Sequence, residues 1–138
     1  GGPQFIAIDR EGMIFTTEGA NCRIQKFTPE GKFVAAWGDA EDRVGGFGGK
    51  FPGFNGPILG PISLCFDDQD HLWITTTSSR IQQFNREGQF LRSLGAGGGT
   101  EPGEFLAPHM LVPDGKGHLF IVDSYNHRIQ KFWVGPSP

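Results

Sequence analysis

Four histidines, two cysteines and a recurring arginine are the side chains of this 138-residue chain with the most chemistry to offer. His109 is the sharpest of them: it follows a proline, and an exposed imidazole there can ligate a metal or move a proton. Arg23, Arg80 and Arg128 each open the phrase Arg-Ile-Gln-Lys/Gln-Phe. Three equivalent guanidiniums could bind an anion, but a repeated Arg more often ties a loop to carbonyls or carboxylates through its donor fork. Gly45-Gly46-Phe47-Gly48-Gly49-Lys50 has the glycine density of a phosphate loop. It lacks the leading Gly and the Ser or Thr after the Lys, and no helix follows. Gly95-Ala96-Gly97-Gly98-Gly99 likewise precedes no helix whose N-terminus could hold a phosphate. His71 and His118 share one strand position, facing solvent or a neighbour, with no catalytic role. Cys22 and Cys65 occupy non-equivalent positions and are expected as free thiols, and no local Ser-His-Asp order or carboxylate pair stands out.

What positions these residues is a repeat. The Arg-Ile phrase recurs after 57 and then 48 residues. It is followed by Pro29-Glu30-Gly31-Lys32-Phe33 and Arg86-Glu87-Gly88-Gln89-Phe90. Before it come Gly12-Met13-Ile14-Phe15, Asp70-His71-Leu72-Trp73-Ile74 and Gly117-His118-Leu119-Phe120-Ile121-Val122. Each unit opens on a proline and an apolar run, at Pro3, Pro61 and Pro108. The apolar runs are short, rich in Ile, Phe, Val and Trp, and bounded by Gly, Asp, Asn or Pro, which reads as strands joined by turns. Gly31 and Gly88 fall where such turns need a positive φ. Four strands and three reversals make an up-and-down antiparallel sheet, apolar on both faces. Radially stacked sheets give that environment, so the expected fold is all-β and a β-propeller, with a repeat-built sandwich as the alternative.

The run from Gly117 to Phe132, with its lead-in Pro102-Gly103-Glu104-Phe105 to Pro108-His109, resembles an NHL repeat, the blade of NHL β-propellers. Unit two departs from the pattern at Thr75-Thr76-Thr77-Ser78-Ser79, where the acid and the Asn-His would fall. The expected organisation is one domain of three NHL-like blades, about 3–38, 60–95 and 105–134, with connectors 39–59 and 96–104. The third blade lacks its outer strand. The resemblance implies rings of about six blades, so three blades form half a ring, and self-association would close it. Trp73, Phe120 and Phe15 are expected to be buried between sheets.

In such a sheet the long connectors share a face with the loops between second and third strands, and long loops on a rigid scaffold carry binding. The candidate ligand-binding residues on that face are His109, Asn21, Tyr125, Asn126 and His127, with Phe47, Phe51 and Phe54 from the first connector. The resemblance extends to lyase-type relatives that use Pro-His positions as zinc ligands, which makes His109 the candidate metal ligand. Gln4 and Ile62 stand at its equivalents, so one chain offers one ligand where a catalytic zinc needs about three. The expected function is a non-catalytic binding or scaffold module for a protein, peptide or glycan, with no cofactor. The alternative is a metal-dependent lyase or lactonase-like hydrolase using zinc or calcium at His109. A net charge of −3 argues against nucleic acid as partner, and no apolar run is long enough for a membrane-spanning helix. Gly1-Gly2-Pro3-Gln4 carries neither the basic nor the apolar stretch of a signal peptide.

Overall fold

A computed structural model describes residues 2–49, 55 and 60–135. The first unit is a four-stranded antiparallel sheet, β1 (Phe5–Ile8), β2 (Ile14–Glu18), β3 (Arg23–Phe27) and β4 (Phe33–Trp37), in that order. The second repeats it with β5 (Pro61–Phe66), β6 (Leu72–Thr76), β7 (Ile81–Phe84) and β8 (Phe90–Leu94). Within the second connector, β9 (Gly97–Gly98) and β10 (Glu104–Phe105) form a short parallel pair. The third unit has three strands, β11 (Pro108–Pro113), β12 (His118–Asp123) and β13 (Arg128–Trp133), with β13 at the sheet edge.

Identical chemistry closes the turn between first and second strands in every unit. Asp9 Oδ1 accepts from the amides of Glu11 and Met13, Asp67 Oδ1 from those of Gln69 and His71, and Asp114 Oδ1 from those of Lys116 and His118. An Asp side chain bonding its own downstream backbone is a turn that needs no other support. The turns before β4 and β8 run through Gly31 and Gly88, both at φ +87°.

The register sends successive residues to opposite faces, and the sheets stack in chain order. Phe15, Cys22 and Ile24 of the first unit pack on Leu64, Leu72, Ile74 and Phe84 of the second. Trp73 and Ile81 of the second pack on Leu111, Leu119 and Ile121 of the third. Each sheet thus has a forward face, toward the next unit, and a rear face, toward the one before. Phe15 meets Phe66 edge-on at 5.0 Å, and burying an aromatic ring of this kind contributes roughly 2–3 kcal/mol. Phe15 and Trp73 are fully buried. Phe120, at the same forward position, is only half-buried, because the third unit is the last sheet of the stack. Val112, Ile129 and Trp133 are exposed around it, as are Ile6 and Ile8 on the rear face of the first unit.

Candidate functional site

The loops between second and third strands are built around a buried acid. Asp123, at the end of β12, is fully buried, and its Oδ2 accepts from Asn126, Arg128 and Gln130 at 2.9, 2.9 and 3.1 Å. Its Oδ1 accepts from the Leu106 amide at 2.7 Å. Burial alone would push this carboxyl up, but the donors outweigh it and hold it below its ordinary value. The first unit repeats the design: Glu18 is held low by Arg23 above all, against its own burial, with Asn21 and Gln25 assisting. In the second unit Thr76 takes the acid's place, and Arg80 turns instead to Ser78 at 3.0 Å and to Asp42 of the first connector at 2.6 Å. The residue before each Arg, Cys22, Ser79 or His127, has positive φ. Strain of this kind at three equivalent places marks one loop conformation used three times.

The repeated arginines are structural ties. Arg128 donates to the carbonyls of Thr100, Glu101 and Glu104 as well as to Asp123, fastening the second connector to the third sheet. The Gln two residues after each Arg does related work. Gln82 accepts from the Gly45 amide at 2.6 Å and donates to the Gly46 carbonyl at 2.8 Å. Gln130 accepts from the Gly103 amide at 2.9 Å and donates to the Glu104 carbonyl at 2.7 Å. In both cases a Phe follows, Phe47 or Phe105, fully buried between sheets against Phe84 at 5.5 Å or Phe132 at 5.7 Å. This corrects the reading of Phe47 as a surface residue: a connector aromatic clamped by an amide becomes core. Phe51 and Phe54 lie outside the described residues. The glycine run around Phe47 is pinned by Gln82 rather than shaped as a phosphate loop.

The five candidate ligand-binding residues fall into two groups. Asn126 donates to the Gly99 carbonyl and to Asp123, and Asn21 donates to Glu18, so both work within their loops. Tyr125, His127 and His109 are exposed. The Tyr125 amide bonds the Leu106 carbonyl, which brings that loop beside the segment leading to His109. His109 sits on a β-bulge between Pro108 and Met110, its Nδ1 2.9 Å from the Ala107 carbonyl. A carbonyl only accepts, so Nδ1 carries a proton, and in the neutral ring the lone pair is at Nε2. Asn21 belongs to the first unit, two sheets away. His127 occupies the place that Cys22 fills in the first unit, where any side chain on Gly60 would strike it. Its exposure is again that of the last sheet.

His118 bonds Asp114 and meets Trp133 edge-on at 5.1 Å, while His71 lies against Gln83 and Asp67. Cys22 and Cys65 are free thiols. Among the described residues no group of three His, Cys, Asp or Glu side chains is placed to hold a metal. The described residues of one chain around His109 thus supply fewer than the three protein ligands that a catalytic zinc takes. No helix among the described residues is long and apolar enough to cross a membrane.

Residues 105–132 match the NHL repeat, the stretch that holds Asp123, Asn126, Arg128 and Gln130. The fold as a whole is similar to solved propeller-type proteins. A catalytically inactive variant of virginiamycin B lyase from Staphylococcus aureus, determined with quinupristin, superposes with a TM-score of 0.62 at 15% identity, over 96% of this chain and 41% of that one. A streptogramin B lyase gives 0.62 at 18% identity, over 99% and 42%. The WD40 repeats of RRP9 give 0.53 at 12% identity, over 94% and 36%. The chain thus spans about two fifths of these solved chains.

Proposed function

We propose that this NHL-repeat chain of propeller fold is a non-catalytic binding module, acting as half of a six-bladed ring. Its ligand, a protein, peptide or glycan, would be taken on the connector face. The observation that carries the reading is the exposure of Tyr125 and His109 on loops whose backbone is locked by Asp123, Asn126 and Arg128; ring closure would cover His127 as the second sheet covers Cys22. Rigid loops presenting an amphipathic Tyr and an imidazole need little ordering on binding, which is what a recognition surface requires.

The ring follows from the two open faces. Val112, Phe120 and Ile129 are the third unit's counterparts of Cys65, Trp73 and Ile81, which in the second unit pack against the next sheet. Ile6 and Ile14 correspond in the first unit to Leu64 and Leu72. One face is of the forward kind and the other of the rear kind, so a second copy related by a two-fold axis would cover both at once. Light scattering tests this. The expected species is near twice 15.1 kDa, and Phe120→Ala with Ile129→Lys returns it to one copy. A cooperative monomer refutes closure. Binding is tested by screening immobilised oligosaccharides and peptides, with Tyr125→Ala and His109→Ala expected to lose a captured ligand at least tenfold. Zinc titration decides the alternative. Stoichiometric zinc released by His109→Ala would favour a lyase or hydrolase, with two copies of His109 contributing.

A further inference from the structure

We infer that the rear face of the first unit is a socket for an extended Gly-x-Phe peptide segment. The chain makes this contact twice within itself. Gln82 exchanges a reciprocal pair of hydrogen bonds with Gly45 and Gly46 ahead of Phe47, and Gln130 does so with Gly103 and Glu104 ahead of Phe105. In the second case Arg128 adds bonds to carbonyls of the same segment, and Asp123 accepts from the amide that follows the Phe.

Gln25, Arg23 and Glu18 repeat Gln130, Arg128 and Asp123 in the first unit, at the same register positions. Among the described residues these side chains bond one another and Asn21. Gln25 and Arg23 both donate to Glu18, as Asn21 does, and the Arg23 side chain is 42% exposed where Arg128 is 28% exposed. Phe27 corresponds to Phe84 and Phe132, the rings on which the two connector phenylalanines rest. It is half-buried and touches only Phe33 among ring partners of the described residues, at 6.1 Å. Primary amide, guanidinium, carboxylate and ring are thus all present without, among the described residues, the backbone they hold elsewhere. The occupant is set by that chemistry: Gly, because the residue whose amide is clamped has positive φ, +86° at Gly45 and +87° at Gly103; any next residue, because only its carbonyl is used; then Phe for the apolar slot.

The test places such a segment where it can reach. Phe105 stands three residues before Pro108, and a Phe joined directly ahead of Gly1 stands three before Pro3. The full chain is therefore extended at its N-terminus by a copy of residues 99–105, Gly-Thr-Glu-Pro-Gly-Glu-Phe. Docking is expected to raise the unfolding temperature by about 4 °C or more and to slow exchange of the added Gly-Glu amides at least tenfold. Replacing the added Phe by Ala, or Gln25 by Ala, should each abolish both effects. Gln25→Ala without the extension serves as the folding control. An extended chain that melts with the parent, or whose gain survives Gln25→Ala, overturns the socket. Because the readout is intramolecular, it stands or falls separately from ring closure and from the ligand-binding reading.

Discussion

Gly31 and Gly88 occupy the same turn in successive units with the same φ of +87°, yet their substitutions should differ in cost. An Ala at Gly31 meets no other atom within 4 Å, so it suffers only the left-handed backbone, about 1 kcal/mol. An Ala at Gly88 adds a Cβ 2.6 Å from the Trp37 ring, which is packed in turn on Phe15 at 6.1 Å. Overpacking a seated ring costs a further 1–3 kcal/mol or so, for a total of about 2–4 kcal/mol. Urea unfolding of Gly31→Ala and Gly88→Ala measures the two directly. The excess at Gly88 is assigned by a double-mutant cycle with Trp37→Leu. In the Trp37→Leu background the Gly88→Ala cost should fall to the Gly31 value. Gly31→Asn should lose less than Gly31→Ala, since Asn tolerates this backbone region. Equal costs at the two glycines, or an excess at Gly88 that persists after the ring is removed, would refute the packing argument.

Two further outcomes are expected. Asp123→Ala, which strips four donors of a buried acceptor, should cost about 3 kcal/mol or more in urea unfolding. Because Asp123 and Glu18 sit below their ordinary values of 3.8 and 4.5, their contribution is complete above those values. It is lost as pH falls through them toward the lower folded values, so the wild-type urea midpoint should drop between pH 5 and pH 3, and less so in Asp123→Asn; a pH-independent midpoint would contradict the hub. Burial raises the thiol of Cys22, and burial with the nearby Asp67 charge pushes Cys65 up to about 12, so a thiol reagent at pH 8 should label both only after unfolding. Rapid labelling of the native chain would show that the gap between the sheets is open.

The strands, their order and their turns were legible because each rests on local chemistry: an Asp that bonds its own turn, a Gly where φ is positive, and an apolar run of strand length. Face and burial were not, because they depend on what lies beyond the sheet. Phe15, Trp73 and Phe120 look alike in sequence, and only the position of each sheet in the stack separates two buried rings from a half-buried one. Phe47 departs from expectation for a related reason. A long glycine-rich connector suggests a surface loop, whereas the structure folds it inward on Gln82. The signal was available in the sequence as a Gln that recurs two residues after every Arg, paired with a Gly-x-Phe in both connectors. A glutamine kept at one place on successive strands has both donors and acceptors to satisfy, and a passing backbone segment offers both at once. That logic also explains why the loop design survives the change to Thr76 in the second unit. There Arg80 finds its carboxylate in Asp42 of the connector, so the tie between loop and connector is kept while the residue that supplies the charge moves.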